Sequence, residues 1–111
     1  MASGDVFPKM LTGPTQVGTT TTTLFTVPAG HQYTIKQIVI CNTDGADRLI
    51  TLARGSAATA ANCFTYNFPV GFFDTVMLDT GLVFEAAETV QGLSDTASKV
   101  TVTITGWDRE L

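Results

Sequence analysis

Residues 24–55, LFTVPAGHQYTIKQIVICNTDGADRLITLARG, decide the fold class of this chain. Three runs rich in β-branched and aromatic residues are separated by two turn signals, and no 3.6-residue period crosses them. Val27-Pro28-Ala29-Gly30 ends the first run, because Pro28 presets a turn φ and Gly30 tolerates a positive one. Asn42-Thr43-Asp44-Gly45 ends the second, with an Asp-Gly pair suited to the positive φ angles of hairpin turns. In the middle run, His31 to Cys41, Tyr33 and Ile35 share one parity while Ile38 and Ile40 take the other. Either both faces are covered or a β-bulge near Lys36-Gln37 shifts the register; the bulge is the preferred reading. The third run, Arg48 to Arg54, is expected to point Ile50 and Leu52 inward and both arginines outward.

The same alternation continues outward from this stretch. Thr19 to Val27 is expected as a strand, its threonine run Thr19–Thr23 forming a solvated strand start. Gly55 to Asn62 is a small-residue loop. Cys63 to Val70 places Phe64, Tyr66, Phe68 and Val70 on one face, and Pro69 argues that this strand ends there or lies at an edge. Thr75–Leu78, Leu82–Glu85 and Thr89–Leu93 read as short strands. Val100 to Thr105 alternates Val100, Val102 and Ile104 with three threonines, and Trp107 is expected to cap one end of the core. Turn signals every 8–12 residues and about eight or nine short strands predict an all-β fold, a single antiparallel β-sandwich or jelly roll. The expected core is Leu24, Ile35, Ile50, Leu52, Phe64, Phe68, Val102 and Ile104. Gly4, Pro8, Gly13, Pro14 and Gly18 punctuate the N-terminus, so residues 1–18 are expected as an extended arm and 19–111 as the sandwich domain.

A chain of 111 residues makes one domain with its own core. Charged residues amount to 14% and threonine to roughly a fifth. Such a surface can be covered by a neighbour without desolvating many charges. Net charge is −4 and the six basic residues are scattered singly. Nucleic acid is therefore not an expected partner, since phosphate binding needs clustered Lys and Arg. No 18-residue apolar run predicts a membrane helix. MASGDVFPKMLTG lacks the basic start and apolar core of a secretion signal. Cys41 and Cys63 read as free, buried thiols.

Each chemical possibility has a plainer structural reading. His31, the only histidine, sits at a turn and reads as a surface turn residue. Asn42, Asp44 and Asp47 carry too few acidic ligands for a calcium loop and read as a turn bonded to its own backbone. Glu85 and Glu88 read as solvated turn acids rather than a hydrolytic pair. No nucleophile elbow or phosphate-cradling glycine loop is present in the sequence, and no metal or cofactor is expected. The remaining signal is apolar. Val6, Phe7, Met10 and Leu11 lie in a segment unable to build its own core, and Phe72-Phe73 sits at a turn where polar residues are usual. One phenylalanine could fold back on the sandwich end; alternatively the six residues are partner contacts.

The chain also resembles a known family. Leu24-Phe25-Thr26-Val27-Pro28-Ala29-Gly30, Ile38-Val39-Ile40-Cys41-Asn42-Thr43, Leu82-Val83-Phe84-Glu85 with Thr89-Val90-Gln91, and Val102-Thr103-Ile104-Thr105-Gly106-Trp107 are similar to elements of small β-sandwich accessory virion proteins of tailed bacteriophages. The resemblance implies a non-enzymatic structural role, with a capsid decoration (cement) protein on the outer shell as the expected form. Its alternatives are a minor tail or tail-tip component, or a glycan- or receptor-binding module on a phage fibre. For the glycan alternative, Tyr33, Tyr66 and Trp107 are the candidate aromatics. The implied partners are the major capsid protein or other virion proteins and further copies of the chain, a trimer being the expected closed form. The implied location is the virion, assembled in the bacterial host cytoplasm. No catalytic or ligand-binding residues come with the resemblance.

Overall fold

The computed structural model describes residues 6–55 and 58–111. Among them run nine strands: β1 (Val6–Val17), β2 (Thr22–Thr26), β3 (His31–Asn42), β4 (Arg48–Arg54), β5 (Cys63–Val70), β6 (Thr75–Asp79), β7 (Val83–Phe84), β8 (Thr89–Ser94) and β9 (Val100–Glu110). They form two antiparallel sheets packed as a sandwich. One is ordered β1-β9-β3-β6, with β7 also on β3; the other is ordered β2-β8-β4-β5. Ile35, Ile38, Ile40, Val102 and Ile104 of the first sheet meet Leu24, Phe25, Ile50, Leu52 and Val90 of the second, all buried. Burying each such side chain contributes roughly 1.5–3 kcal/mol. The all-β expectation and its strand number hold. Of the eight expected core residues six are buried, while Phe64 and Phe68 on β5 are only partly covered.

The parity switch in β3 has the expected cause. Its pairing with β9 shifts between Ile35 and Gln37, so Lys36 turns outward and Ile35 and Ile38 both reach the core. Gly106 lies opposite this bulge, where a Cβ would come 2.0 Å from the Thr34 carbonyl oxygen. The strand therefore needs glycine there for close backbone approach.

Several expectations are corrected. Residues 6–17 are not an arm apart from the sandwich: they form β1, a twelve-residue edge strand paired along β9 from Val6↔Arg109 to Val17↔Val100. Pro8 and Pro14 are tolerated because an edge strand leaves one side of its backbone unpaired. Register shifts between Met10 and Thr15 accommodate Gly13-Pro14. The expectation for residues 1–5 lies outside the described residues. Tyr66 does not share the inner face with Phe64. Asn67 adopts φ 46° and the β4–β5 register slips there, which turns Tyr66 out to 57% exposure. Arg54 does not face away from Leu52: the two have the same parity, and the Arg54 guanidinium stacks 4.1 Å from the centroid of the core residue Phe84. Trp107 does not cap the core, because it has the threonine parity of β9 and lies on the outer face.

The turns at Val27–Gly30 and Asn42–Gly45 differ from each other. Gly30 has φ 80° and His31 N donates to Pro28 O, as the Pro-Ala-Gly signal predicts. Gly45 is not at positive φ, and Asn42–Gly45 is not a hairpin. The chain there leaves one sheet and enters the other. Asn42, 1% exposed, holds the crossing: its amide donates to Ala46 O, Val70 O and Gly71 O, and its Oδ1 accepts from Asp44 N at 2.9 Å.

Candidate functional site

The six expected partner contacts fall in two groups, four on β1 and two on the β5–β6 turn. Val6 and Met10 are 55% and 57% exposed on β1, beside the C-terminal half of β9; Phe7 is half-buried. Leu11 points into the core and is removed from the candidate set. Phe72 and Phe73 project at 63% and 72% exposure from the β5–β6 turn, beside the far end of β3. Through β9 the register sets Val6 level with Gln32 near the start of β3 and Met10 level with Gln37 at its middle, whereas Phe72 and Phe73 lie beyond Asn42 at its end.

The β5–β6 turn is a built feature. Phe72 N donates to Asp47 Oδ1 at 3.0 Å, Phe73 N to Asp44 O at 3.0 Å, and Asn42 N to Asp74 O at 2.9 Å. Phe73 sits at φ 52°, an uncommon conformation for a bulky residue. Its ring lies over Gly45 and meets Phe72 edge-on, with centroids 6.4 Å apart. Neither phenylalanine folds back onto the core. The oxygens that a calcium loop would offer are used in the same corner. Asp44 accepts from Arg48 Nε at 2.8 Å and Nη2 at 2.6 Å, and this guanidinium holds its carboxyl below the ordinary carboxylate value. Among the described residues no three His, Cys, Asp or Glu side chains gather as metal ligands.

A polar cluster that the sequence reading missed ties the other end of the first sheet. Asp108, 1% exposed, has the inward parity of β9. His31 Nδ1 lies 2.7 Å from its Oδ1, and Lys9 Nζ lies 3.4 Å from its Oδ2. Lys9 also donates to the Tyr33 hydroxyl at 3.2 Å; that bond, ahead of the Asp108 carboxylate, raises its pKa above the ordinary value. His31 is thus a strut between β3 and β9 rather than a free turn residue. The even parity Val100, Val102, Ile104, Gly106, Asp108 was the available signal. Glu88 likewise serves structure: its Oε1 accepts from Glu85 N at 2.6 Å.

Two further surfaces stand out. Trp107 lies in a shallow concavity of about 380 Å³ with Pro8, Met10 and Lys36, the Lys36 ammonium 5.8 Å from its ring centroid. Between the edge strands β5 and β6 the sandwich is open. A cleft of about 570 Å³ there reaches Ile38 and is walled by Phe64, Leu78 and Leu82. Cys41 and Cys63 are free thiols on strands of different sheets.

No family model matches the sequence, and no curated protein matches it. Solved structures share the fold. A pilus protein of Bacillus endospore appendages, described as forming disulfide-linked pili, has a TM-score of 0.60 at 10% identity, over 99% of this chain and 92% of that one. The core of Drosophila NLP, studied for pentamer formation and histone binding, has a TM-score of 0.52 at 12% identity, over 88% and 97%. A chain of infectious bursal disease virus, Gt strain, has a TM-score of 0.52 at 10% identity, over 96% of this chain and 33% of that one. At these identities the likeness is one of fold: an all-β sandwich also found in pilus and virus particle proteins.

Proposed function

We propose that this chain is a non-enzymatic structural subunit of a tailed-phage virion, a capsid decoration protein that sits on the outer shell as one of many copies. The observation that carries the reading is the exposure of Val6 and Met10 on the edge strand β1 and of Phe72 and Phe73 on the β5–β6 turn, outside the buried core. Large apolar groups held out on strands and a hydrogen-bonded turn are contact surfaces by preference. The sandwich fold shared with pilus and virus proteins is compatible with this role. Major capsid protein is the partner proposed for the β1 end, and the subunit is assembled in the host cytoplasm. The test is immunogold labelling of purified phage particles, together with rebinding of the chain to particles stripped of it. Label over the shell supports decoration, and label at the tail transfers the protein to the tail. Val6→Ser with Met10→Ser, both at exposed sites, should weaken rebinding at least tenfold without lowering the melting temperature. Particles that carry no label refute the reading.

One observation favours a second reading, a glycan-binding module. Of the three candidate aromatics, Tyr33 is core, Tyr66 stands exposed at the β4–β5 register slip, and Trp107 lines a concavity beside polar side chains. Trp107 is the only tryptophan, so its fluorescence reports on that site alone. Saturable quenching by host surface polysaccharide would support this reading, and an unchanged spectrum would refute it.

A further inference from the structure

We infer that the outer face of the first sheet binds an acidic polysaccharide, a linear uronic acid chain stacked on Trp107 and held through its carboxylates by Lys36 and Arg109. The inference deepens the second reading above, a glycan-binding module, and rests on it. The bulge in β3 builds the centre of the site. Its extra residue is Lys36, turned outward beside Trp107, with the ammonium 5.8 Å from the indole centroid. Bulges commonly re-aim a side chain at a binding surface. On the other side of β9, Pro8 and Met10 pair with Trp107 and Thr105 and wall the concavity with apolar carbon. An exposed indole beside such a wall suits the C–H face of a sugar ring, with a few polar groups fixing its orientation.

Charge selects the acid. The chain carries a net −4, and three of its six basic residues are held in ion pairs: Lys9 with Asp108, Arg48 with Asp44 and Arg54 with Glu88. Lys36 and Arg109 form no ion pair among the described residues, and they flank Trp107 on two sides. Arg109 shares the outward parity of Trp107 on β9, about 7 Å along the strand. Two carboxylates at the margins of the face are already engaged: Asp79 accepts from Gln37 Nε2 at 3.3 Å and Glu85 from Gln32 Nε2 at 2.8 Å. An incoming carboxylate therefore meets two cations ready for charge-assisted hydrogen bonds. In the opposite direction from Trp107, Thr105, Thr103 and Thr101 form a track of hydroxyls at intervals of about 7 Å. None of the three hydroxyls has a hydrogen-bond partner among the described residues, whereas those of Thr12 and Thr80 are bonded to Leu24 O and Ile35 O. A stacking platform, two cations and a line of free hydroxyls along one strand fit an extended polymer of hydroxylated, acidic rings. Two cations are too few for a nucleic acid backbone, which needs clustered Lys and Arg.

Quenching of Trp107 fluorescence in the full chain tests the inference. The probes are polygalacturonate, alginate and hyaluronan, all linear polymers that carry uronic acid, each also as its methyl ester with the carboxylates masked. At least one acidic polymer should quench saturably, and its ester should not. Lys36→Gln with Arg109→Gln should weaken that binding about tenfold or more, as the loss of two charge-assisted hydrogen bonds does. Thr103→Val removes one hydroxyl of the track and keeps the strand, and should weaken binding about threefold or more. These side chains lie outside the core, so the melting temperature should be retained. Trp107→Ala, followed by calorimetry, should abolish binding. An ester that quenches as tightly as its acid overturns the inference and leaves the glycan reading standing, as does quenching by neutral host polysaccharide alone. No quenching by any polysaccharide overturns both. A double variant that binds like the parent chain overturns the inference, as does a single-stranded oligodeoxynucleotide that binds as tightly as the best acidic polymer.

Discussion

Gly106→Ala isolates the contact on which the bulged centre of the larger sheet depends. Gly106 is not at positive φ, so alanine meets no backbone penalty of its own and the whole cost is steric. The added Cβ would lie 2.0 Å from Thr34 O, 3.0 Å from Thr34 C and 3.1 Å from Ile35 Cα, all backbone atoms of the neighbouring strand. Relief requires β9 and β3 to part by about 1 Å, which stretches the flanking N–H···O bonds beyond ~3.5 Å. Two such bonds contribute about 1 kcal/mol each, and overpacking in a close-packed interior adds about 1–3 kcal/mol. The expected loss is about 3–5 kcal/mol, or roughly 12–20 °C in melting temperature for a domain of this size. Gly13→Ala is the control: its Cβ would stand 3.7 Å from the Met10 sulfur, an exposed and flexible neighbour, and should stay within about 0.5 kcal/mol. Urea unfolding of the two variants beside the parent chain is the assay. If Gly106→Ala unfolds within 1 kcal/mol of Gly13→Ala, the close approach of β9 to the bulge is not as described.

Three further outcomes follow from the same structure. Leu11→Ala should cost about 2–3 kcal/mol in urea unfolding, because Leu11 belongs to the core; a residue of a detached arm would cost nothing. Asp108→Ala removes the acceptor shared by His31 and Lys9 and should cost about 2–3 kcal/mol, with faster hydrogen exchange of Val6–Met10 as its local sign. Asp44→Asn should lower the melting temperature slightly at neutral pH and not at all in acid. Arg48 depresses the folded-state pKa of Asp44 below 3.8, so its contribution is present above the unfolded value and lost as pH falls through the folded one. A melting difference that persists well below pH 3.8 would contradict that sign.

Alternation and punctuation determined most of the strands from Thr22 onward without help from the fold, whereas β1 was read as an arm. The apolar parity of β9, the switch at Lys36-Gln37 and the Pro-Ala-Gly turn are local facts, since side chains on a strand alternate whatever the strand pairs with. Pro69 even marked β5 as an edge, because a missing N–H is a property of the residue. The candidate contacts were legible only as unusual apolar residues in the wrong kind of segment. Local sequence could not tell which of them would be covered: Leu11 found the core through β1 pairing with β9, ninety residues away in the chain, while Phe72 and Phe73 were held out by the Asn42–Asp47 corner. The same limit hid the Asp108 cluster, whose Lys9, His31 and Tyr33 come from two other strands. It also hid the sheet change at Asn42. A turn sequence specifies how tightly the chain reverses, but whether it returns beside its own strand or crosses to the opposite layer depends on which partner completes the hydrogen bonds. Among the described residues only β4 and β5 pair as sequence neighbours, so nearly every edge, seam and exposed face of this protein was decided by contacts between distant strands.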